Sequence, residues 1–264
     1  MKTLTANTIG EAFTKSIGLI SSWAKGDPPF IWFRGVKDRD LHLQPGACWR
    51  TGYEELEPLV DFTQLGASYT DVGNLDNWTT YYLAQHHGIP TRLLDWSESF
   101  AASLFFAFDG WDGTTTPCIW LLQPAELNRV FLNWDGVVSP ENNPKLEAWL
   151  PQSVIQSDKI EKLGRGDAVF DNEWPLAIYP KKTNLRLTAQ QGVFTVHGRR
   201  KNGLNELIVE KSGATEDIIA RIDLVDFDKS TVYSQLATLG LRRAAIYPDI
   251  DNFVRQLKEL HKWQ

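Results

Sequence analysis

Cysteine is scarce in this chain: Cys48 and Cys118 are the only two in 264 residues, and methionine occurs once. Two cysteines without a CxxC or Cys/His spacing exclude a disulfide framework and a thiolate zinc site, and they fit a reducing, cytoplasmic compartment. Positive charge is also short, with 27 Lys and Arg against 33 Asp and Glu, a formal charge of -6 and a pI near 5.4. Such a chain lacks the broad cationic footprint of a nucleic-acid binder, so a small ligand or a protein partner is the simpler expectation. Long apolar runs are missing as well. Between Thr8 and Lys25 the apolar pattern is interrupted by Glu11 and Lys15, which removes the continuous core of a signal peptide or membrane span. GxSxG, GxxxxGK and GxGxxG do not occur, so serine hydrolase, P-loop and dinucleotide-fold readings lose their main support.

Apolar residues make up 42% of the chain and tryptophan occurs 11 times, enough to bury the core of one elaborated domain spanning residues 1–264. Ile9, Phe13, Ile17, Ile20 and Trp23 recur at helical spacing, which predicts an N-terminal helix within residues 1–26 that Gly26 to Pro29 stops. Phe30 to Val36 reads as a strand whose far end carries Arg34 and Gly35 to the sheet edge. Helices are expected over Tyr53 to Gln64, Asn77 to His87 with Asp76 as N-cap, and Ser99 to Asp109, closed by Gly110. Pro117 to Gln123 is strand-like. From Trp134 to Asp171 the composition shifts to Asn, Pro, Ser and Asp, which marks an insertion or long loop. Beyond it, Leu176–Tyr179, Leu185–Leu187, Gly192–His197, Glu206–Glu210 and Ile218–Ile222 read as strands, followed by helices over Thr231–Leu239 and Ile250–Trp263. The expected class is α+β, a single domain with a mixed, mostly antiparallel sheet flanked by helices.

Chemistry-bearing residues concentrate between Gln85 and Ser97, where His86, His87, Thr91, Arg92 and Asp95 surround a Gly88 to Pro90 corner. His86 and His87 are neighbours on a helix end and point about 100° apart, so they cannot share a metal, and no HxH or HxxxH occurs. No metal is expected. One histidine can cap helix carbonyls while the other lines a pocket. Arg34 emerges from the apolar Ile31 to Phe33, and Gly35 after it leaves room for a ligand near the backbone. That arrangement suits a diphosphate or carboxylate, or an internal ion pair with Asp95. Alternation puts Thr91, Leu93 and Asp95 on one strand face and Arg92 and Leu94 on the other. Ser97 or Ser99 can serve as N-cap of the next helix, whose first amides face an anion. Gln190 and Gln191 precede Gly192 inside a strand pattern, which suggests a bulge; an amide there either orients a ligand or ties two strands together.

Taken together, Phe33-Arg34-Gly35, the run Gln85 to Trp96 with its Ala/Phe-rich helix, Gln190 to Phe194, and Tyr247 to Asp251 resemble the FRG-domain family across nearly the whole chain. That resemblance implies a bacterial or phage-associated effector, such as a toxin or phage-defence protein, with an antitoxin-like partner as one expectation. A second resemblance, to ADP-ribosyltransferases of the Arg-Ser-Glu type, implies a mechanism. Phe33-Arg34-Gly35 is similar to their first motif, and Ser97-Glu98-Ser99 with the helix after it to their second. For the third, Gln190 and Gln191 stand where a carboxylate is expected, and an amide stabilises a developing oxocarbenium charge less well. The implied activity is binding of NAD, as substrate, or a related nucleotide, with ADP-ribose passed to a macromolecular acceptor or the glycosidic bond cleaved. Arg34, His86, His87, Asp95 and Gln191 are the implied catalytic residues; Gly35, Thr91, Arg92, Ser97 and Gln190 are the implied ligand-binding ones. Two other readings stay open. One is a metal-independent nuclease or phosphotransferase with a histidine base and Arg34 and Arg92 on the phosphoryl group; the other is a non-enzymatic sensing or regulatory module.

Overall fold

A computed structural model describes residues 1–24, 30–69, 74–154, 161–162, 169–170, 172–213 and 215–261. The elements begin with β1 (Lys2–Ala6), α1 (Ile9–Trp23), β2 (Trp32–Val36), α2 (Gly46–Trp49), α3 (Leu56–Gly66), α4 (Asn77–His86), β3 (Leu93–Ser97), α5 (Phe100–Phe108), β4 (Cys118–Leu122) and α6 (Pro124–Leu132). They continue with α7 (Pro151–Val154), β5 (Glu161–Lys162), β6 (Val169–Phe170), β7 (Leu176–Ile178), α8 (Leu185–Ala189), β8 (Gly192–Val196), α9 (Leu204–Ser212), β9 (Ile219–Leu224), α10 (Lys229–Thr238), α11 (Arg243–Ile246) and α12 (Ile250–His261).

Seven strands form one sheet in the order β1-β9-β4-β2-β3-β8-β7, and β5 pairs with β6 alone. Among the strands of this sheet only β1 and β9 pair in parallel and the other pairs are antiparallel, as expected for a mixed α+β domain; Val138 adds a single parallel bridge to Ile178. Both faces are covered. Successive residues of a strand point to opposite faces, so Trp32 enters one core with Trp78, Tyr81, Trp120 and Trp149, while Phe33 enters the other with Leu19, Leu104, Phe108 and Ile222.

Several elements follow the sequence pattern closely. Thr8, Asp76, Ser99 and Asp228 each accept a hydrogen bond from a first-turn amide and so start α1, α4, α5 and α10. Gly88 has φ 87° and turns the chain between α4 and β3. The stop signal Gly26 to Pro29, the end of the last helix at Trp263, and parts of the 134–171 stretch lie outside the described residues. Within that stretch Val138, Leu146, Trp149 and Leu150 are buried in the core.

Other expectations are corrected. Residues 2–6 are not part of a helix but an edge strand, and α1 buries Ala12, Ser16 and Leu19 while Phe13 and Ile17 face outward. Leu185–Leu187 is helical because the Asn184 side chain accepts from the Leu187 amide and caps α8. Glu206–Glu210 is helical too. Its buried Leu204, Leu207 and Ile208 sit at helical spacing that a five-residue window is too short to reveal, and Gly213 ends α9 at φ 71°.

Candidate functional site

The centre of the sheet is where a cavity opens. Strand β2 pairs with β4 along its whole length, from Trp32↔Leu122 to Val36↔Cys118, but with β3 only at Phe33↔Ser97. Past that pair the ladder between β2 and β3 ends, and backbone groups there need other partners. Arg34 supplies one: its Nη1 donates to the Asp95 carbonyl at 2.7 Å and lies 3.9 Å from the Asp95 carboxylate. A cleft of about 330 Å³ occupies this split. Arg34 is therefore on the central strand, not at the sheet edge that the sequence suggested, and its expected contact with Asp95 is made at the cleft.

Gly35 lines the cleft, and packing alone already requires a glycine there. A Cβ there would lie 1.7 Å from the carbonyl oxygen of Ser103, because α5 crosses directly over β2. The room that glycine creates is filled by the helix. Ser103 itself lines the cleft, is fully buried, and its hydroxyl has no partner among the described residues. Helical serines and threonines often bond back to the preceding turn, as Ser16 does to Ala12 and Thr63 to Leu59; Ser103 does not. The Nε of Arg34 is likewise buried and unpartnered.

From the Gln85 to Ser97 segment, His86, Asp95 and Ser97 reach the cleft, together with Gln85. The sequence reading did not count Gln85 among the site residues, although it opens the motif. The Leu93 amide donates to Thr91 Oγ1, the Thr91 hydroxyl donates to Gln85 Oε1 at 2.6 Å, and Gln85 Nε2 donates to Asp95 Oδ2 at 3.1 Å. This relay fixes the amide of Gln85 and, through it, the Asp95 carboxylate. Thr91 acts from behind the cleft wall and does not line it.

Arg92 and His87 do not join the cleft. Arg92 is buried and its Nε donates to Glu55 Oε2 at 2.7 Å, while Nη1 donates to the Gly198 carbonyl at 2.8 Å. It holds the start of β3 and cannot assist Arg34. His87 lines a separate apolar recess with Phe62, Leu65 and Ile89, its ring edge-on to that of His86 with centroids 4.9 Å apart. Adjacency on one helix turn lets neighbouring rings touch and still line different recesses. Burial, then the nearby Arg186 and His87, lower the pKa of His86, so its ring is neutral near pH 7.

Of the two glutamines, Gln190 lines the cleft and Gln191 does not. The Gln190 side chain donates to the Ile246 carbonyl and its own carbonyl accepts from the Ser97 hydroxyl at 2.6 Å, which joins the α8 end to β3. Gln191 is exposed, with φ 47°, and makes the turn into β8. They are not a strand bulge; they end a helix. On the far rim the structure adds Arg186 and Tyr247. The Arg186 guanidinium lies 4.7 Å from the centre of the Tyr247 ring, whose hydroxyl donates to Asp109, itself ion-paired with Arg243. Arg186 was hidden in a segment read as a strand, whereas Tyr247 stood in a recognised landmark. Tyr82 and Phe194, stacked with centroids 5.3 Å apart, provide an aromatic wall.

The cleft thus combines two cations, the hydrogen-bonded carboxylates of Asp95 and Asp109, a neutral imidazole and aromatic surface. The two thiols lie elsewhere, and burial pushes both Cys48 and Cys118 up to about 12, away from nucleophilic use. Among the described residues no group of three or more His, Cys, Asp or Glu could hold a metal, and no helix is long and apolar enough to cross a membrane.

Residues 30–114 match the family model described as FRG domain. The match takes in Arg34, the His86 to Asp95 segment and α5, and stops before Arg186, Gln190 and Tyr247. A search of curated proteins and a search of solved structures gave no match. The comparisons lend no support to the ADP-ribosyltransferase resemblance.

Proposed function

We propose that the cleft binds NAD or a related nucleotide and that the chain transfers its ADP-ribose to a macromolecular acceptor or cleaves the glycosidic bond. The observation that supports this reading is the convergence of Arg34, Ser97 and Gln190, far apart in sequence, on one cleft beside Asp95. Arg34 would bind the diphosphate; the aromatic wall would take a flat ring. Asp95 supplies the carboxylate that Gln190 and Gln191 lack, positioned by Gln85 to face positive charge developing at the ribose carbon as nicotinamide leaves. Ser97 holds the Gln190 carbonyl and keeps the two walls in register. The expected macromolecular acceptor would approach from the open side.

A second reading has its own support. His86 is neutral near pH 7 and borders Arg34 and Arg186, as a general base for phosphodiester cleavage would. It uses Arg186 in place of Arg92.

Incubation with labelled NAD and cell lysate, scored for label transfer and free nicotinamide, tests the first reading, and thermal melts with NAD test binding alone. Ligand at a hundredfold excess over its Kd adds about 2.7 kcal/mol, a Tm rise of roughly 5–10 °C. No rise at millimolar NAD and no nicotinamide release would eliminate it. Degradation of RNA or DNA without NAD would establish the second.

A further inference from the structure

Arginines in this chain are mostly paired. Arg92, Arg129, Arg200, Arg221 and Arg243 each have a carboxylate oxygen within 4.0 Å. Arg186 has none among the described residues, although it lines the cleft and is only half-buried. Among the described residues its anchoring contact is the Tyr247 face, and that ring is held by Asp109, itself paired with Arg243. A guanidinium stacked on a fixed ring keeps its planar fork directed and its donors free, the arrangement suited to an anionic oxygen. Two carboxylates stand nearby and both have other partners: Asp249 is engaged by Asn252, and Asp109 accepts from Tyr247 and Arg243.

We infer that Arg186 is a second anion-binding residue of the cleft, and that its ligand is a nucleoside diphosphate or a molecule containing one, with one phosphoryl group on Arg34 and the other on Arg186. This rests on the reading of the cleft as a nucleotide site and names what the site measures: the number of phosphoryl groups. Arg34 comes from the centre of the sheet and Arg186 from the first turn of α8 on the opposite wall, so a single phosphate is held by one and a diphosphate by both.

Calorimetric titration with AMP and ADP distinguishes the possibilities. The wild-type chain is expected to bind ADP about tenfold or more tightly than AMP, the effect of one charge-assisted contact. Arg186→Ala should bind AMP as the wild type does and lose the preference for ADP; Arg186→Lys, which keeps the charge without the fork, should retain part of it. An Arg186→Ala chain that still prefers ADP overturns the inference and leaves the nucleotide site standing. Equal weakening of AMP and ADP also overturns it, because a purely structural role has that signature. If the wild type binds neither, the nucleotide reading itself fails and this inference with it. Should Arg186→Ala not fold, Arg186→Gln makes the same comparison with a polar side chain of similar reach.

Discussion

Two polar clusters grow from the segment between Gln85 and Ser97, and they are completed to different degrees. Around Arg92 both charged groups are engaged: Glu55 is buried and accepts from the Arg92 side chain, the Arg92 amide at 2.9 Å and the Tyr81 hydroxyl. His197 packs beside them, its amide donating to the Arg92 carbonyl and its Nε2 meeting the Asn202 carbonyl, while its neutral Nδ1 has no partner among the described residues. Around Asp95 the bonding is incomplete: among the described residues Arg34 Nε and Ser103 Oγ are buried without a partner and Arg186 has no carboxylate within 4.0 Å. Composition does not separate the two, since each has an arginine, a carboxylate and a histidine. Completion does. A buried charge network with all partners present specifies structure, whereas donors left over in an open cleft are available to a ligand.

Breaking the closed cluster should have the largest effect. Glu55→Ala leaves the Arg92 guanidinium buried and unpaired, so denaturant unfolding should show a loss of about 3–5 kcal/mol; a loss below about 1 kcal/mol would mean the network is not structural.

Next is acid sensitivity. Burial lowers His197 from its ordinary 6.5 to about 4, so the unfolded chain takes up a proton over this range and the folded chain does not. Stability attributable to His197 should thus be intact above pH 6.5, fall by about 3 kcal/mol as pH drops towards 4, and fall no further below it. Unfolding measured at several pH values for wild type and His197→Gln isolates this term, because the carboxylates are common to both. Parallel curves would count against it.

On the open side the effect should move from stability to ligand. Arg34→Lys removes the bond to the Asp95 carbonyl, worth about 1 kcal/mol, but also the fork proposed to hold a diphosphate. Its Tm should fall by roughly 2–4 °C while the Tm rise caused by NAD disappears. A variant that unfolds outright would assign Arg34 to the closed class.

The smallest effect is expected at Ser103. Removing a hydroxyl that has no partner among the described residues costs little, so Ser103→Ala should change stability by less than about 0.5 kcal/mol or raise it slightly. A clear loss would reveal a structural partner for this hydroxyl and narrow the contrast between the clusters.

Much of this organisation is legible in the sequence, for local reasons. Caps at Thr8, Asp76, Ser99 and Asp228, the Gly88 corner and the apolar runs of β2, β4, β8 and β9 are set by side chains acting on their own backbone neighbours. The same locality names Arg34, His86, Asp95, Ser97 and Gln190 as candidates, because each interrupts or ends an apolar element. Only the tertiary structure decides which of them meet. That β2 and β3 part after Phe33↔Ser97, that Glu55 from a distant turn claims Arg92, that α5 fills the space above Gly35, and that Arg186 and Tyr247 close the far rim all depend on partners remote in the chain. Hydrogen-bond completion is a property of assembled neighbours, and the sequence supplies the groups without stating which are left over.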